Sequence, residues 1–164
     1  MTMHKTLAQL LLALLMASHA MAASADSASD ARQLDRLFKT SELQIATPDA
    51  RLHHFRVWIA DDDARRARGL MHVKDLADDT GMLFLYERQG PVAMWMKNTF
   101  IALDMLFVRA DGRVARVVER TEPLSLKTIE SGEPVVAVIE LKGGTASRLR
   151  IGAGAQVMHP AFGK

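Results

Sequence analysis

Residues 65–107 read RRARGLMHVKDLADDTGMLFLYERQGPVAMWMKNTFIALDMLF. Most of this stretch is apolar enough to bury, yet Lys97, Asn98, Thr99 and Asp104 lie inside its apolar part. An unpaired buried charge is costly. The stretch therefore either builds one paired polar site or sends its charged tips to solvent. Gly81 to Tyr86, Val92 to Met96 and Phe100 to Val108 are expected strands, and Glu87 to Pro91 a polar turn. In the last strand Ile101, Leu103, Met105 and Phe107 share one face; Ala102, Asp104, Leu106 and Val108 share the other. A strand apolar on both faces has to be covered on both, which a barrel or closed sheet achieves.

The flanks extend the same pattern. Upstream, Leu43 to Thr47 and Arg51 to Ile59 form a hairpin with its turn at Pro48-Asp49-Ala50. Asp61-Asp62-Asp63 caps a helix from about Ala64 to Met71, acids first and arginines later, as the helix dipole favours. Downstream, Ala110-Asp111-Gly112 is a hairpin turn leading into Arg113 to Glu119. Pro134 to Leu141 is an apolar strand, Gly143-Gly144 breaks it, Thr145 to Leu149 is a short helix, and Ala155 to His159 is a last strand. The expected fold class is α+β and β-dominated: a compact barrel-like or closed mixed sheet with two short helices, in a single globular domain over 43–164.

The chain has 164 residues and a formal charge of +2. No run of Lys or Arg offers a phosphate-tracking patch, so no nucleic-acid partner is expected. The absence of cysteine excludes disulfides, thiolate metal sites and thiol nucleophiles. Residues 1–22 read as a secretory signal: Lys5 in a weakly positive start, an apolar run from Leu7 to Ala17, and Ala20-Met21-Ala22 before Ala23. The apolar run is too short for a spanning helix, so no stable membrane anchor is expected after cleavage, and the location is periplasmic or secreted. Residues 23–42, rich in Ala, Ser and Asp at their start, are expected to be a flexible leader. Leu34, Leu37 and Phe38, at helical spacing, offer one docked turn.

Three constellations bear on chemistry. Trp95-Met96-Lys97-Asn98-Thr99 ends a strand in a turn-like corner. It either presents Lys97 and Asn98 to a cleft or is a structural corner with Lys97 snorkelling outward. Asp104 needs a cation or several donors; Lys97 is the nearest cation in sequence and Arg68 a rival. Glu140 sits at the end of an apolar strand, sharing a face with Val136 and Val138. Asp104 and Glu140 would make an acid–base pair only on neighbouring strands at the same depth. Six methionines lie outside the signal: Met71, Met82, Met94, Met96, Met105 and Met158. Thioethers suit Cu(I), but core filling is the simpler use. No nucleophile elbow, phosphate loop, zinc spacing or dinucleotide fingerprint occurs.

The order R-x-x-G-L-M at Arg66 to Met71, G-M-L-F at Gly81 to Phe84, W-M-K-N-T at Trp95 to Thr99, L-D-M-L-F at Leu103 to Phe107, D-G-R-V at Asp111 to Val114 and E-L-x-x-G at Glu140 to Gly144 resembles the domain of unknown function 192 family. The match runs roughly from Val57 to Val157. Met94 lies outside that pattern, and His72 stands where the family often has a basic residue. The resemblance implies a compact β-rich domain with its signature residues gathered together. It implies no reaction.

The expected role is binding of a small polar or anionic ligand, or of a partner, in a pocket lined by Arg68, Trp95, Lys97, Asn98 and Asp104. Lys97 and Arg68 would hold an anionic or hydroxyl-rich group, Asn98 would orient it, and Trp95 would supply a flat wall. No cofactor and no metal are expected. The alternatives are a hydrolase-type enzyme using Asp104 and Lys97, a periplasmic Cu(I)-binding protein, and a structural accessory domain without a site. Whether the protein is an enzyme, and its oligomeric state, stay open at this level.

Overall fold

The computed structural model describes residues 27–162. The elements in chain order are helix α1 through residues 27–37, β1 (Lys39–Ala46), β2 (Leu52–Ala60), α2 (Asp63–Arg68), β3 (Thr80–Gly90), β4 (Ala93–Met94), β5 (Leu103–Val108), β6 (Val114–Val118), β7 (Ile129–Glu130), β8 (Val135–Lys142), α3 (Thr145–Leu149) and β9 (Gln156–Met158). Seven strands form one sheet in the order β6-β5-β8-β3-β2-β1-β9. The two edges meet: Val114 N–H donates to the Ala155 carbonyl at 2.9 Å, and Val157 N–H to the Gly112 carbonyl at 2.8 Å. With the Arg113–Gln156 bridge these bonds close the sheet into a barrel. The expected β-dominated closed sheet is present, with one helix more than expected.

Two apolar clusters explain the strands that are apolar on both faces. The barrel interior holds Leu43, Phe55, Val57, Leu83, Leu106, Val108, Ile139 and Leu141. The outer face of β3, β5 and β8 carries Met82, Phe84, Leu103, Met105, Phe107 and Val138, covered by Leu34, Phe38, Leu70, Leu76 and Met96 from other segments. All six residues of β5 are consequently buried.

α1 belongs to that cover. Residues 27–42 fall within the expected flexible leader, yet they are helix and the start of β1. The physical reason is docking: Leu34 and Phe38 are buried. The Asp35 carboxylate accepts from Trp58 Nε1 at 2.8 Å and from Arg56 Nη2 at 2.6 Å. The Asp30 carboxylate accepts from the backbone N–H of Lys74 at 2.6 Å. Leu37 is exposed. Residues 1–22, expected to be a signal, lie outside the described residues.

α2 is shorter than expected. Asp62 caps it by accepting from Arg65 N–H at 2.7 Å. Gly69 ends it at φ 44°, in the left-handed region that costs glycine least. The Gly69 backbone then passes close to the Phe84 ring, where a Cβ would come within 3.2 Å. The expected strand Val92–Met96 shrinks to β4, which pairs only with β7. Pro91 has no N–H to donate, and the turn at Met96–Thr99 stops the strand. The β4–β7 ribbon and the W-M-K-N-T corner beyond it lie outside the barrel ladder, over its outer face.

Candidate functional site

The W-M-K-N-T corner is a tight turn. Thr99 N–H donates to the Met96 carbonyl at 3.1 Å, and Asn98 takes φ 56°, a conformation that asparagine tolerates better than most residues. His72 N–H holds the Asn98 carbonyl at 2.8 Å, tying the corner to the segment after α2. Met96 and Thr99 are buried, while Trp95 and Lys97 are exposed. The Lys97 Nζ lies over the Trp95 ring, 5.2 Å from its centre.

Between this corner, α2 and the outer face of β3 and β8 lies a cavity of about 230 Å³. Arg66, Arg68, Gly69 and Met71 line it from one side, Met94, Trp95, Lys97 and Thr99 from the other, and Phe84, Tyr86 and Glu140 from the sheet. The structure thus brings together Arg68, Trp95 and Lys97. Two of the five expected site residues are elsewhere. Asn98 forms the corner without lining the cavity; its side-chain amide faces the Met71 sulfur at 3.9 Å.

Asp104 is the larger correction. It is fully buried on the interior face of the barrel and does not meet Lys97. Its carboxylate accepts from the backbone N–H of Arg120 at 2.8 Å, of Gly144 at 2.9 Å and of Ala146 at 2.7 Å. It therefore fixes the start of α3 and the chain after β6. Three backbone donors satisfy a buried carboxylate as well as a cation does. Gly143 and Gly144 serve this cradle: a Cβ on Gly143 would stand 2.8 Å from the Ala102 carbonyl oxygen, and Gly144 sits at φ 90°. In the β5–β8 ladder Asp104 faces Leu141, and Met105 faces Glu140. Since faces alternate along a strand, Asp104 and Glu140 point to opposite sides of the sheet. They form no acid–base pair, and a hydrolase built on Asp104 and Lys97 has no geometry here.

Glu140 is the residue that the sequence undervalued. It is 4% exposed, lies at the cavity floor and makes no side-chain hydrogen bond among the described residues. Burial pushes its carboxyl up to about 8. Tyr86, on the adjacent strand, is pushed up to about 12, chiefly by burial. Its hydroxyl donates to the Met94 sulfur at 3.5 Å. The cations above are partly committed. Arg66 donates to the Leu85 carbonyl at 2.6 Å and to Asp63, and its guanidinium lies 5.4 Å from the centre of the Tyr86 ring. Arg68 donates to the Met71 carbonyl, and burial holds its guanidinium below the usual arginine value. Lys142, on the same face of β8 as Glu140, is occupied by Asp75 at 2.9 Å. Arg66, Phe84 and Glu140 stand within sequence motifs, but only the pairing of distant strands reveals that they share a cavity.

A closed β-barrel whose outer face carries a small cavity under a basic rim, its walls drawn from the spaced signature segments, defines the class. The chain belongs to the DUF192 family (Uncharacterized ACR), whose model matches residues 44–159. The structure is similar to that of a Sinorhizobium meliloti 1021 protein described as a candidate transcription regulator. That likeness has 38% identity and a TM-score of 0.75, covering 76% of this chain and 97% of that one. It is also similar to a protein of unknown function from Novosphingobium aromaticivorans DSM 12444, with 33% identity and a TM-score of 0.72, covering 74% of this chain and 86% of that one. No curated protein matches the chain.

Proposed function

We propose that the cavity under the W-M-K-N-T corner binds a small ligand with an anionic group held by Lys97 and Arg68. The observation that carries this reading is the convergence of Arg68, Trp95 and Lys97 from separate segments on one concavity. Its volume of about 230 Å³ is below the roughly 300 Å³ at which drug-sized pockets begin, so the ligand is small. Phe84, Tyr86, Met71 and Met94 offer apolar walls, and the rim offers charge. The regulator description of the Sinorhizobium protein is not carried over, because these cations ring a cavity too narrow for a duplex. The test is equilibrium binding of short-chain organic carboxylates to the full chain. Lys97→Ala and Arg68→Gln should each weaken binding by about tenfold or more. Unchanged affinity in both variants would remove the site.

The signal-like start supports a second part of the proposal, export to the periplasm or medium. Cleavage before Ala23 would leave α1 whole as described, with Leu34 and Phe38 still docked. N-terminal sequencing of mature protein should begin at Ala23 or within a few residues of it; intact Met1 on exported or membrane-bound protein would overturn the export reading.

A further inference from the structure

We infer that the ligand of this cavity is a small zwitterion: its carboxylate meets Lys97 and Arg68 at the rim, and its ammonium meets Glu140 at the floor. This rests on the anion-binding reading above and deepens it. The decisive observation is Glu140, a carboxyl buried in the cavity floor with no protein partner among the described residues. Asp104, by contrast, is satisfied by three backbone N–H groups. A carboxyl that opens only onto this cavity and has no hydrogen bond from the described residues leaves its oxygens for a group that enters the cavity. An ammonium supplies what is missing: charge to pair with the carboxylate and donors for its oxygens. Phe84 and Tyr86 line the cavity beside it, and the Tyr86 ring already lies 5.4 Å from the Arg66 guanidinium.

The charges that face Glu140 fit this assignment. From β3 it meets Tyr86, whose hydroxyl is not ionised at neutral pH. From β5 it meets Met105. On β8, Lys142 is held away by Asp75. α2 brings Arg66 and Arg68, tied to Leu85 and Met71 carbonyls, and the corner brings Lys97, lying over Trp95. Positive charge thus gathers at the rim and the acid stands at the floor, a polarity that matches one end-to-end orientation of an amino acid. Because burial keeps the Glu140 proton in the empty site, an ammonium displaces it on binding: the proton leaves to solvent and the carboxylate pairs with the incoming cation.

The common L-amino acids would be screened individually against the full chain by ligand-observed NMR. The tightest would then be titrated beside its amine-free and carboxylate-free analogues. The amino acid should bind at least about tenfold more tightly than either analogue. Its affinity should rise with pH between about 6 and about 8 and then level off, with release of a proton. Glu140→Gln should abolish the preference for the amine, bringing the amino acid and its amine-free analogue to within about twofold of each other, and should remove the proton release; a preference that persists in the variant overturns the assignment of the ammonium to Glu140. An amine-free acid that binds as tightly as the amino acid overturns the zwitterion and leaves the anion site standing. Absence of binding by every amino acid and every amine-free acid overturns both.

Discussion

Asp104→Ala is expected to destabilise the protein by about 3–5 kcal/mol, because it takes the acceptor from three backbone N–H groups, one of them buried and two partly buried, and leaves a hole at a fully buried position. Those donors are Arg120, Gly144 and Ala146, and among the described residues no other acceptor takes them. The loss is a large part of a typical total stability of roughly 5–15 kcal/mol. Asp104→Asn keeps one acceptor and turns an amide donor toward an N–H, so it should cost less, about 2–3 kcal/mol, and serves if the alanine variant does not fold. Lys97→Ala, at an exposed tip, should stay within about 0.5 kcal/mol of wild type. The double variant should be additive within about 0.5 kcal/mol, since the two side chains do not meet. Urea denaturation of wild type, both singles and the double measures this. Strong non-additivity would mean that Lys97 reaches Asp104 and that the cradle is wrong.

The second large effect is the pH dependence set by Glu140. Its folded-state pKa is about 8, against an ordinary 4.5. Between those values the folded chain holds one proton more than the unfolded chain. The stability that this proton contributes is fully present below about pH 4.5 and is lost as pH rises through about 8, at up to about 1.4 kcal/mol per pH unit. His159, lowered by burial, acts in the opposite sense below about pH 6.5. The lowered carboxylates Asp35, Asp49, Asp62 and Glu133 act only in acid. A comparison with Glu140→Gln cancels all of these. From about pH 5.5 to about pH 8.5 the variant should gain about 3 kcal/mol relative to wild type. Ligand-free thermal and urea unfolding across that range would show it. Parallel curves for the two proteins would place Glu140 in contact with water and take the closed floor away.

Both predictions depend on which face of a strand a carboxylate occupies. Alternation along Phe100–Val108 put Asp104 on the face of Leu106 and Val108, and it is there. The same alternation puts Glu140 on the face of Val136 and Val138; Val138 is on the outer face, whereas Val136 packs against the interior cluster, beside the register shift between β3 and β8. What was not legible was the partner strand. Proximity in sequence points Asp104 to Lys97; its donors come from residues 16 to 42 positions away. Backbone N–H groups leave no signature in a sequence, so a carboxylate that binds three of them looks the same as one seeking a cation. Glu140 was legible as a buried acid. Its exposure to a cavity was not, since Arg66, Phe84 and Lys97 reach it only after β3 pairs with β8 and the corner folds over them.

Local chemistry therefore determined what local chemistry can. The period-two apolar runs gave the strands and required both faces to be covered. Asp62 and Gly69 bounded a helix, and the spaced motifs pointed to the family. Tertiary structure decided the rest. Edge bonding between β6 and β9 closed the barrel. The docking of Leu34 and Phe38 turned an Ala- and Ser-rich segment into core, because a helix this short is stabilised by the surface it covers and not by its propensity. The site's composition followed from the same cause. Register and crossover bring distant residues to one concavity, and those are properties of the paired chain that no single segment carries.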